Sequence, residues 1–112
     1  MISGFYSMAY TGAAGTGFGL IAISKGVIAG ADVAGGLYDG TYIEKPSTID
    51  ARLTMKIPSG AIPVQTGVPL TEPMIVPFDV SLPSDLGDEK PLLVQMPLGP
   101  INVIFKRVRD VP

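Results

Sequence analysis

The chain has 112 residues, a net charge of −2, and no Cys, His or Trp. That length suits one domain, residues 1–112, burying roughly two-thirds of its unfolded surface. The missing Cys and His exclude disulfides, thiol nucleophiles, Ser-His-Asp triads and the usual zinc sites, and a near-neutral charge lacks the clustered Lys and Arg of a nucleic-acid footprint. Composition therefore points to binding or structure, with no catalysis, no cofactor, no metal and no nucleic-acid partner expected.

Glycine and proline divide the chain unequally. Ten of the fourteen glycines fall in the first forty residues, and all eleven prolines lie at Pro46 or later. Each weakens a helix interior, by about 1 kcal/mol for Gly and about 3 for Pro. No window offers three turns of amphipathic helix, and the expected class is all-β.

In chain order, the first predicted strand covers residues 4–11, with Tyr6, Met8 and Tyr10 on one face and Phe5, Ser7 and Ala9 on the other. Residues 16–24 form the second. Lys25-Gly26 supplies the positive-φ position for a tight return into a third strand at 27–30. Residues 36–44 follow, with Tyr38 and Tyr42 sharing a face. Residues 49–57 alternate most cleanly: Ile49, Ala51, Leu53, Met55 and Ile57 against Asp50, Arg52, Thr54 and Lys56, which describes a half-solvated antiparallel strand. A Pro- and Gly-rich crossing occupies 58–73, and strands at 74–82, 91–96 and 101–108 complete the set. About eight antiparallel strands without a crossover helix suit a small up-and-down β-barrel, with a sandwich as the alternative. Pro73, Pro77, Pro91 and Pro97 suggest strand ends, bulges or an incompletely closed seam.

Two segments invite other readings. Gly15-Thr16-Gly17-Phe18-Gly19 resembles a phosphate-cradling loop only in composition, because no helix follows it; its glycines are read as letting a coiled strand bend. Residues 18–37 are the most apolar stretch, but Lys25, Asp32 and five glycines interrupt them. A spanning helix needs about twenty nearly uninterrupted apolar residues, so no membrane association is expected. The first basic residue is Lys25; no charged region precedes the apolar start as a secretory leader requires, and a cytoplasmic location is expected.

The candidate site residues follow from strand parity. Tyr6, Met8, Tyr38, Tyr42, Leu53 and Met55 face inward and are candidates for lining a ligand cavity, with core packing as their alternative role. Gly30, Asp32 and Gly40 are read as structural turn residues, Asp32 bonding nearby amides in an Asx-turn. Asp85, Asp88 and Glu89 make an acidic loop. Lys106, Arg107 and Arg109 make a basic, solubilising terminus. Residues 92–94 and 101–105 are apolar on both faces, so Leu92, Val94 and Ile104 are candidates for a dimer interface.

Four blocks in one order carry a resemblance: Gly4-Phe5-Tyr6-Ser7, Gly17-Phe18-Gly19-Leu20-Ile21, Lys25 through Asp32, and Tyr38-Asp39-Gly40-Thr41-Tyr42. Together with a closing Phe105-Lys106-Arg107-Val108, they resemble the GrlR-like family, small bacterial proteins named after a negative regulator of type III secretion. The resemblance covers roughly residues 1–57 and the last strand. It implies a calycin-like, lipocalin-related barrel that dimerises and regulates through a protein partner. The founding regulator holds its activator with a run of acidic residues after the fourth strand. Here the corresponding stretch, Glu44-Lys45-Pro46-Ser47-Thr48, has one acid and one base. The expected function is a non-enzymatic regulatory homodimer; the alternative is a carrier or sensor of a small apolar ligand inside the barrel.

Overall fold

Alternation of apolar and polar residues with a period of two leaves each segment one face to bury, and eight such segments bury it by curling around one interior. The computed structural model describes residues 2–112. Its strands are β1 (Gly4–Gly12), β2 (Gly15–Ser24), β3 (Val27–Asp32), β4 (Leu37–Glu44), β5 (Thr48–Ile57), β6 (Met74–Pro83), β7 (Leu92–Met96) and β8 (Gly99–Arg109). They form one antiparallel sheet in the order β6-β5-β4-β3-β2-β1-β8-β7. The sheet curls into a nearly closed barrel, with β6 and β7 approaching across an unpaired seam. No helix occurs among the described residues, and none is therefore long and apolar enough to cross a membrane.

Prolines sit where the ladder ends. β6 carries Pro77 and Pro83, and Pro91 and Pro97 flank β7. A residue without an N–H cannot donate to a further strand, so these two strands suit the edges of the seam. The β2–β3 return has φ values of 51° at Lys25 and 82° at Gly26, the paired positive-φ conformation that matches the twist of a two-residue hairpin.

The interior has two unlike ends. At one end Ile2, Tyr6, Ile49 and Leu86 pack into the core, continuous with Ile23, Leu82 and Phe105, which reach on to the wall of the cavity at the other end. The Tyr6 hydroxyl donates to the Ile2 carbonyl at 2.5 Å and accepts from Arg107 Nη1 at 2.9 Å. Arg107 also bonds the Ser3 carbonyl at 2.6 Å and the Asp110 carboxylate. Its guanidinium lies 5.6 Å from the Tyr6 ring centroid. The basic terminus expected from sequence is thus divided: Arg107 ties the chain ends to the core, while Lys106 pairs with Glu89 at 3.6 Å.

At the other end the 58–73 crossing folds back over the barrel. Gly60 N–H donates to the Leu70 carbonyl at 2.7 Å and Leu70 N–H to the Ala61 carbonyl at 2.9 Å. Ala14, in the β1–β2 turn, donates to the Val64 carbonyl at 2.8 Å and holds this strap in place.

Gly30 and Gly40, expected in turns, lie inside β3 and β4. They pair with Ile21 and Leu53, so each gives its space to an inward side chain on the neighbouring strand. Leu92 and Val94 also need correction. Val94 is buried in the core and Leu92 packs against it, whereas Leu93, between them, is 65% exposed. Strand parity allows only the middle residue outward. Of the three expected interface residues, Ile104 alone faces outside.

Candidate functional site

An apolar cavity of about 180 Å³ occupies the strap end of the barrel. Met8, Tyr38, Leu53 and Met55 line it, together with Ile21, Phe78, Val80 and the strap residues Ile62, Pro63 and Val64. Four of the six expected cavity residues therefore meet there. Tyr6 and Tyr42 face inward but belong to the packing around the opposite end. Distance along β1 and β4 separates them from the cavity although they share a face with Met8 and Tyr38.

The cavity has one polar corner. Asp32 closes β3, and its Oδ1 accepts from Ala34 N–H at 3.0 Å and Gly36 N–H at 2.9 Å. This is the Asx-turn expected of Asp32, and it aims the other oxygen inward. Oδ2 accepts the Tyr38 hydroxyl proton. Gly36 has no room for a side chain: a Cβ there would stand 2.6 Å from Asp32 Oδ2.

Tyr10 lines the same cavity from β1. It pairs with Gly17 across the hairpin, and a Cβ at Gly17 would meet the Tyr10 ring at 2.3 Å. Gly17 thus leaves the ring the space it occupies beside β2 in the cavity lining. Burial, followed by the Asp32 charge, pushes the Tyr10 hydroxyl up to about 12. Burial, followed by the bond to Asp32, pushes Tyr38 up as well. Both phenols stay protonated at neutral pH.

Asp32 is the single formally charged side chain among the described residues of the lining; Thr16 and Gln65 are neutral. No group of three or more metal-ligating side chains occurs among the described residues. Asp85, Asp88 and Glu89 stay in the solvated loop, where Asp85 pairs with Lys90 at 3.1 Å.

The site residues beyond the expected set are Tyr10, Asp32 and the strap. Parity already places Tyr10 on the inner face with Met8. Nothing in the local sequence brings Asp32 to it, because the two lie on strands separated by β2.

A second surface lies outside the barrel. No outward position of β1, β2 or β3 carries a charge. Ile104, Ala9 and Phe18 form one row across β8, β1 and β2; Ser7, Leu20, Ala31 and Leu37 form the next. Phe18, Leu20 and Leu37 are 46%, 55% and 54% exposed. β5 differs sharply, presenting Asp50, Arg52 and Lys56 outward. Compared with family models, curated proteins and solved structures, the chain matches none.

Proposed function

We propose that this protein is a non-catalytic binding protein that works as a homodimer and regulates through contact with a protein partner. The observation that carries the homodimer is the charge-free outer face of β1–β3. Contiguous apolar surface of this kind marks an association surface, and a two-fold dimer is the commonest way to cover it. Small residues at Ser7, Ala9, Ala22 and Ala31 keep the face flat, so a second copy can approach closely around Phe18 and Leu20. The regulatory role rests on the resemblance to GrlR-like proteins.

Sedimentation velocity tests the dimer. The unmodified protein is expected to sediment as a dimer at micromolar concentration, and Leu20→Glu as a folded monomer. A monomeric unmodified protein would remove this reading. For the regulatory role, the dimer is used as bait in its source cell extract; recovery of a transcriptional activator or secretion component supports it, and recovery of none rejects it.

A second reading has its own support. The strap-end cavity is apolar and slightly larger than the roughly 150 Å³ cavity that holds benzene, and smaller than the roughly 300 Å³ at which drug-sized sites begin. It suits a small monocyclic or short aliphatic molecule and is too small for a long acyl chain. Native mass spectrometry of the freshly purified protein tests for such a passenger.

A further inference from the structure

We propose that the strap-end cavity takes small apolar molecules that carry one ammonium group, held by the Asp32 carboxylate. The proposal rests on the small-ligand reading of the cavity and adds the chemistry of its single charged group.

The acceptor sites of Asp32 can be counted. A carboxylate has two oxygens and about four lone-pair sites. Oδ1 accepts from Ala34 N–H at 3.0 Å and Gly36 N–H at 2.9 Å, and Oδ2 accepts the Tyr38 hydroxyl. One site on Oδ2 remains. The Asx-turn uses Oδ1 alone, so the turn does not account for it. Tyr38 has given its one proton to Asp32, which leaves the phenol oxygen as a second acceptor beside the first. Both residues line the cavity.

Charge acts in the same direction. The described lining holds no Lys or Arg, and none of the ion pairs among the described residues includes Asp32. Charges drawn out of water are normally paired, yet half-buried Asp32 has no counter-ion among these residues. A ligand ammonium would supply that charge and bring three donors to the two acceptors. Met8, Leu53 and Phe78 offer an apolar wall to its hydrocarbon body. A carboxylate ligand would instead enter beside a like charge, which desolvation and repulsion both oppose.

Ethylbenzene, benzyl alcohol, benzylammonium and benzoate are close in size and differ in one polar group. Each is titrated at neutral pH into isotopically labelled protein, with the Ala34 and Gly36 amide signals reporting on Asp32. Benzylammonium is expected to shift both amides and to bind about tenfold more tightly than benzyl alcohol, because a hydrogen bond between charged groups outweighs one from a neutral donor. Benzoate is expected to bind most weakly. Asp32→Asn keeps an oxygen for the turn and removes the charge; it should erase the benzylammonium preference while keeping ethylbenzene binding. Ethylbenzene binding with benzylammonium no tighter than benzyl alcohol would overturn the ammonium selection and leave the small-ligand reading standing. Benzylammonium binding that moves neither amide would put the cation on the outer surface and overturn the selection too. Failure of all four probes would overturn both. The ranking and the amide shifts in the unmodified protein decide the matter even where Asp32→Asn proves poorly folded.

Discussion

Tyr10 and Gly17 form a unit in which one residue's size depends on the other's absence of a side chain. Gly17→Ala would set a methyl group 2.3 Å from the Tyr10 ring, and the ring would have to shift from its place in the cavity lining. Overpacking of this kind costs about 1–3 kcal/mol, to be read as a lower urea midpoint. Tyr10 also makes stability sensitive to alkali. Tyr10 titrates at about 12 in the folded chain against 10.0 when unperturbed. Between those values the unfolded chain has lost the proton and the folded chain keeps it, so unfolding releases protons and stability falls as pH rises. Tyr38 is raised for the same first cause and adds to the effect in the same direction. Urea midpoints are expected to decline above about pH 10, and less steeply in Tyr10→Phe. Equal slopes in the two proteins would show that Tyr10 is not the group responsible.

At the scale of one element, β5 shows how alternation separates essential from dispensable positions. Ile49 is completely buried and Arg52 points outward. Ile49→Asp is expected to abolish soluble folding, because it would bury an unpaired carboxylate among aliphatic groups. Arg52 pairs with Asp79 at 3.1 Å, with 82% and 70% of the two side chains exposed. Exposed pairs contribute little, and Arg52→Ser should alter stability by less than about 1 kcal/mol. Chemical denaturation of the two variants checks both statements. β7 shows how parity is misread in a short strand: with apolar residues at Leu92, Leu93 and Val94, hydropathy alone leaves either face eligible for burial. Pairing with β8, in which Leu92 meets Val103 and Val94 meets Ile101, turns Leu93 outward.

For the whole molecule, adjacent residues of β8 separate association from folding. Ile104 lies on the outer row with Ala9 and Phe18, whereas Phe105 is buried in the core. Ile104→Glu is expected to give a folded protein with a raised dimer dissociation constant, and Phe105→Glu a protein that fails to fold. Sedimentation together with far-UV circular dichroism distinguishes the two results. A folded Ile104→Glu protein that stays as dimeric as the parent would move the interface away from this edge of the charge-free face.

Strand positions and their inward faces were legible in the sequence because both depend on local alternation, Gly and Pro placement and turn chemistry. The eight expected segments match the eight strands within a few residues, and Lys25-Gly26 makes the expected tight return. The inward orientation of Tyr6, Met8, Tyr38, Leu53 and Met55 follows from the same period of two. Which inward residues share a cavity depends on their position along each strand and on the strap that covers one end: four residues along β1 separate Tyr6, outside the lining, from Tyr10, within it. Asp32 and Tyr38 meet within the β3–β4 hairpin, six residues apart, whereas Tyr10 joins the same cavity lining from β1 across β2. The 58–73 strap adds a wall to the cavity through backbone bonds to the β1–β2 turn, a contact between segments about fifty residues apart that no local pattern encodes.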